Sequence, residues 1–206
     1  MDVLDDSRRR QFFWGLSNGI VVLALATAFW FGIAAAFAPR AWIVPVTVLS
    51  GVSTLALLYG AVRVRRKAGG FGIADLKRAE GSRREEIRGM RVCFLWAAVA
   101  ETLAVSIGVG LAMHYHRQDQ VWPAIGLGVS LHFAPLAWVF RVRVYYATAL
   151  VGSAICLAAL LTPAAVLGAD ARTVFLGLAM GICVSGTAGF AVLRADRMAA
   201  AWDEPP

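Results

Sequence analysis

The sequence predicts an all-α polytopic integral membrane protein: a bundle of six transmembrane helices with both termini in the cytoplasm. Three observations carry that reading. The chain has 206 residues, 59% of them hydrophobic and only 16% charged, with a mean hydropathy of +0.67. Soluble domains run near ~45–50% apolar and ~25% charged, and a globule of this size cannot enclose so much apolar surface. Five stretches, 11–39, 41–62, 120–140, 144–169 and 173–193, contain no Asp, Glu, Lys or Arg, and a sixth, 92–116, is interrupted only by Glu101. Finally, of the 20 Lys and Arg, all but Arg40, Arg117 and Arg172 fall in the N-terminus, the 63–91 loop, the 141–143 turn or the C-terminus. Alternate loops of a six-span protein share a side, and the basic side is the cytoplasmic one.

Each stretch exceeds the ~20 apolar residues that cross a ~30 Å hydrocarbon core, so the whole chain, 1–206, reads as a single transmembrane domain. The first span is expected at 12–38. Arg9-Arg10-Gln11-Phe12-Phe13 resembles a twin-arginine export signal and Ala36-Phe37-Ala38 an A-x-A cleavage site. The run is far longer than the ~7–15 residues of a signal sequence, however. With Pro39 directly after the site as well, an uncleaved helix is expected. The second span is expected at 41–63, followed by a basic cytoplasmic loop over 64–91. In it, Ser82-Arg83-Arg84-Glu85 is a capping box, which starts the third helix near Arg83. The third span is expected at 92–115 and the fourth at 120–140. The fifth and sixth follow at 144–168 and 173–193. Trp14, Trp42, Trp122 and Trp138 lie near span ends as an aromatic belt would, whereas Trp30 and Trp96 lie deeper.

Small residues mark helix packing. Gly177, Gly181, Ser185 and Gly189 recur every fourth residue, and Gly15 and Gly19 do so in the first span. Such stripes let a second backbone approach closely, within one subunit or between copies in a homo-oligomer. Cys93, Cys156 and Cys183 fall inside apolar runs and read as packing residues.

Two ionisable side chains lie deep in the spans. Glu101 and His132 each sit about eight or nine residues from the cytoplasmic end of their helix, ~12–14 Å deep at ~1.5 Å per residue. A short outer loop makes the two helices antiparallel neighbours, so a Glu101–His132 contact is expected. An intramembrane charge costs ~2.5–3.5 kcal/mol even on lenient scales and needs a partner, a proton or water. Pro135 removes one backbone hydrogen bond and leaves the Leu131 carbonyl without its donor, a helix break beside His132. Thr54, Ser153 and Ser185 fall at similar depths and complete an expected polar layer.

Other chemistries are poorly supported. His114, His116 and Asp119 lack the spacing of a metal site, so no metal and no cofactor are expected. Cys183-Val184-Ser185-Gly186 lacks the first glycine of a rhomboid-type G-x-S-G, and no second intramembrane histidine can act as base. The basic residues read as orientation signals and as contacts to anionic headgroups along the 63–91 loop, not as a nucleic-acid surface. A catalytic role is therefore not expected.

The segment Gly126-Leu127-Gly128-Val129-Ser130-Leu131-His132-Phe133-Ala134-Pro135-Leu136-Ala137, continuing through Phe140 and Val142 to Tyr145-Tyr146, resembles a G-L-H-F-x-P-L-A-x-x-F-x-V-x-x-Y-Y pattern. That pattern occurs in a family of small bacterial multi-span membrane proteins without assigned activity. The resemblance covers roughly 83–165. It implies a bacterial inner-membrane protein and brings no substrate, reaction or cofactor with it. Two functions follow from the residues themselves: proton-linked or small-solute transport through the layer around Glu101 and His132, or a structural or interaction role without transport.

Overall fold

The computed structural model describes residues 3–69, 84–140, 142–163 and 165–203, and the described residues are helical apart from short connections. The helices are α1 (Val3–Phe37), α2 (Arg40–Arg66), α3 (Arg84–His114), α4 (Val121–Phe140), α5 (Arg143–Leu161) and α6 (Ala169–Asp203), with a 3-10 turn over Gln118–Gln120 before α4. All six contain a segment long and apolar enough to cross a membrane. The described residues thus form an all-helical bundle with six helices that suit a multi-pass membrane protein by length and composition. The capping serine, Ser82, lies outside the described residues.

Prolines set two of the boundaries. Pro39 caps α2 in an extended conformation (φ −55°, ψ 148°), which separates α1 from α2. At the end of α5, Thr162 is extended (φ −76°, ψ 116°), because the ring of Pro163 disfavours helical geometry in the residue before it. The fifth helix therefore stops at Leu161, short of the expected 168. Its 19 residues still reach about 28 Å at ~1.5 Å each, close to a ~30 Å hydrocarbon core. Hydropathy alone continues past this point because 162–169 is uncharged. Pro135, by contrast, does not break its helix: α4 runs unbroken from Val121 to Phe140 with Pro135 exposed on its surface. A proline inside a packed transmembrane helix forfeits one hydrogen bond while its neighbours hold the axis.

The helices pack as a row folded on itself. α1 lies along both α2 and α6, α6 also meets α2 and α5, α5 lies along α4, and α3 packs along α4 at the edge of the bundle. The main core gathers Trp30, Phe133, Cys156, Leu176, Met180 and Val184. Trp30, Cys156, Leu176, Met180 and Val184 are at most 1% exposed, so the centre is filled with side chains. A second cluster, Phe13, Ile20, Ala61, Val64, Ala195 and Ala199, closes the end where α1 begins, α2 ends and α6 ends.

Glycine permits the closest crossing. A Cβ at Gly177 would stand 2.7 Å from the Trp30 carbonyl oxygen and the Ala34 nitrogen, and one at Gly181 would stand 2.7 Å from the Phe31 ring. The first half of the α6 stripe is thus the seat of α1. The second half is not. Nothing lies within 4 Å of a Cβ at Gly189 or at Gly15, and Gly19 meets only the Tyr145 hydroxyl at 3.9 Å. Ser185 hydrogen-bonds the Ile182 carbonyl of its own helix at 3.0 Å. At Gly60 the space is taken by Val192, 2.8 Å from a Cβ there, which brings α2 against α6.

Candidate functional site

α3 and α4 run antiparallel with small residues facing one another. Gly108 opposes Ala124, with a Cβ-to-Cβ distance of 3.1 Å were the glycine substituted, and Gly128 opposes Val105 at 2.6 Å. One turn further along the same seam the register brings Glu101 opposite His132. The imidazole Nδ1 is 3.2 Å from Glu101 Oε2 and 3.2 Å from the Ala97 carbonyl oxygen. A proton on Nδ1 is therefore donated towards two acceptors of α3. The Phe94 ring meets the imidazole edge to face at 6.4 Å between centroids. His132 is 12% exposed and Glu101 28%, so the imidazole is enclosed and the carboxylate lies at the lip of the seam.

The other members of the expected polar layer stand elsewhere. Thr54 belongs to α2, which packs on α1 and α6, whereas Glu101 belongs to α3, which packs on α4. Among the described residues the buried hydroxyls of Thr54 and Ser153 have no hydrogen-bond partner, and that of Ser185 is turned to its own backbone. The hydroxyls that do meet inside the bundle are Thr148 and Thr187, 2.6 Å apart between α5 and α6. Each also bonds the carbonyl four residues earlier, at 3.0 and 2.9 Å. Ser130 reaches the Met180 sulfur at 3.9 Å, and the Cys156 thiol reaches it at 3.8 Å. Gly152 accommodates Ser130, whose Oγ would stand 2.5 Å from an added Cβ. Serine and threonine are too common in spans for sequence to single out this set.

The most enclosed charge among the described residues is one that the sequence does not single out, because Arg172 reads there only as an outer-loop residue. Arg172 is 1% exposed. Its Nη1 donates to the Thr162 carbonyl at 2.9 Å, and its Nη2 donates to the Asp119 carbonyl at 2.9 Å and to the Asp119 carboxylate. Arg117 Nε lies 3.6 Å from the other carboxylate oxygen. One guanidinium thus ties the 3-10 turn, the end of α5 and the start of α6 together. The Asp119 carboxylate is thereby engaged by Arg172 and approached by Arg117. Among the described residues no group of three His, Cys, Asp or Glu stands close enough to hold a metal ion.

The opposite end of the bundle is also cross-linked by charge. Asp196 of α6 takes Lys67 at 2.5 Å and Arg63 at 3.2 Å, both from the end of α2. Arg65 donates to Asn18 at 3.2 Å and covers the Trp14 ring at 5.0 Å. Along the α3–α4 seam, between Glu101 and the far end, lies a mostly apolar cleft of about 390 Å³. Its walls include Ala104, Gly108, Leu111, Leu127 and Leu160, and neither Glu101 nor His132 lines it.

Comparison with protein-family models, with curated proteins and with solved structures returns no match to this chain. The chemistry of the site therefore rests on its geometry alone. A carboxylate and an imidazole in contact can share a proton, and an ion pair across a helix seam can fix the register of two helices.

Proposed function

We propose that the chain is a bacterial inner-membrane protein with both termini in the cytoplasm, and that it acts as a structural or interaction subunit rather than as a transporter. The observation that carries this reading is the separation of its polar groups. The Glu101–His132 pair lies on the edge seam. The interior between α1, α4, α5 and α6 is occupied by Trp30, Cys156, Leu176, Met180 and Val184. In this reading the pair pins α3 against α4, and the small-residue crossings hold the remaining helices. The orientation is supported by the distribution of basic residues between the two ends. The 63–91 loop would then face anionic headgroups of the inner leaflet.

A second reading, proton-linked transport, draws support from the direct contact of a carboxylate with an imidazole within the spans, with Glu101 28% exposed at the lip of the seam. Reconstitution into liposomes with an entrapped pH dye, under an imposed pH gradient and with a panel of small solutes, separates the two. The structural reading expects fluxes equal to those of protein-free vesicles for both the natural chain and Glu101→Gln. Proton flux that Glu101→Gln abolishes would overturn it in favour of transport.

A further inference from the structure

The two seams that reach the terminal end of α6 are unequal in charge. On the α2 side, Asp196 pairs with both Arg63 and Lys67 and offsets one of their two charges. On the α5 side, a cleft of about 440 Å³ opens between the start of α5 and the end of α6, lined by Arg143, Val144, Phe190, Leu193, Arg194 and Arg197. The three arginines are exposed. Among the described residues, none of them makes an ion pair or hydrogen bond with a side chain, and no carboxylate lines the cleft. The start of α5 adds to the same potential: its first turn holds no acidic residue, and Val142 provides no side-chain cap. The positive end of its helix dipole therefore also faces this way.

The walls of the cleft divide by chemistry. Arg194 and Arg197 stand one turn apart on α6, with Arg143 facing them from α5. Phe190 and Leu193 continue the α6 side towards the middle of the bundle, and both are largely exposed, at 46% and 59%. Planar guanidinium groups bind phosphate oxygens in pairs, while an exposed aromatic and leucine wall suits an acyl chain. Basic pockets between transmembrane helices at the membrane surface are suited to anionic headgroups. We propose that this cleft is a binding site for an anionic phospholipid. The phosphodiester would sit among Arg143, Arg194 and Arg197, with the first part of an acyl chain against Phe190 and Leu193. The proposal rests on the membrane-spanning reading and is independent of the role given to Glu101.

The test is native mass spectrometry of the full chain in neutral detergent. The chain is titrated with dioleoylphosphatidylglycerol, with dioleoylphosphatidylcholine and with water-soluble glycerol 3-phosphate. One phosphatidylglycerol per chain should be retained in preference to phosphatidylcholine, and the double variant Arg194→Gln/Arg197→Gln should weaken that retention about tenfold or more, because each basic residue at a membrane surface adds to the attraction for an anionic headgroup. Arg66→Gln removes a charge at the same end but outside the cleft and should leave retention unchanged. Equal loss in both variants would reduce the effect to general charge attraction and overturn the site. Binding of glycerol 3-phosphate as tight as that of the lipid would overturn the lipid assignment in favour of a free phosphate site. Folding of each variant is checked by its unfolding temperature without added lipid. If the double variant does not fold, Arg143→Gln, on the other wall, is expected to show the same selective loss.

Discussion

Arg172 is held by one charged and two neutral acceptors while keeping only 1% of its surface exposed. Removing the carboxylate leaves an enclosed cation with carbonyl partners alone. Asp119→Ala should therefore destabilise the folded chain by about 3 kcal/mol, the lower part of the range for breaking a buried pair, because Asp119 itself retains 20% exposure. Denaturant unfolding in detergent would measure it. Arg172→Met, which removes the charge and keeps most of the volume, should lose less, and the opposite ranking would mean that Asp119 is not the partner that matters. Glu101 and His132 call for a double-mutant cycle. Interhelical polar contacts in membranes are worth roughly 0.6–2 kcal/mol. Glu101→Leu and His132→Leu should each lower stability by about that much by leaving the other residue unpaired. The double leucine variant should regain part of the loss. Strictly additive losses would show that the two side chains act separately.

At the scale of the element, the α6 stripe makes two different claims along its length. Gly181→Leu pushes a side chain into the Phe31 ring, 2.7 Å from its Cβ, and should cost about 1–3 kcal/mol, the usual penalty of overpacking. Gly189→Leu extends into open space and should stay within about 0.5 kcal/mol, as surface changes do. Thermal unfolding of the two variants side by side would check the contrast, and equal losses would show that the whole stripe is covered. The four-residue spacing identifies the stripe, but it cannot show which part of it another helix occupies, since that depends on where α1 crosses. Five of the helices are legible as charge-free runs and the third as a run interrupted only by Glu101, because in lipid a charge is costly wherever it falls. The end of α5 is not legible in hydropathy, because Pro163 ends the helix through its ring geometry and Ala, Val and Leu continue the apolar run beyond it. Glu101 opposite His132 can be anticipated from two depths and a short loop. Thr54 and Ser153 also match that depth, yet depth says nothing about which helices are neighbours, and α2 and α3 are not packed together. Arg172 is not legible either, because an arginine next to a span looks the same whether its side chain turns outward to water or inward to a carbonyl.

For the whole molecule, the two ends differ in kind. One is closed by Arg172 and Asp119. The other holds the start of α1 and the end of α6, the Asp196 cross-links and the arginine-lined cleft of α5 and α6. In the orientation proposed above, the bundle crosses the membrane six times with its arginine-rich end inside. That orientation is tested most directly by single cysteines introduced into a background in which Cys93, Cys156 and Cys183 are replaced, then labelled on intact cells with a membrane-impermeant thiol reagent. Asp170→Cys, at the exposed start of α6, should react from outside. Arg66→Cys, at the exposed end of α2, should react only after the cells are opened. Labelling of Arg66→Cys on intact cells, with Asp170→Cys protected, would reverse the orientation.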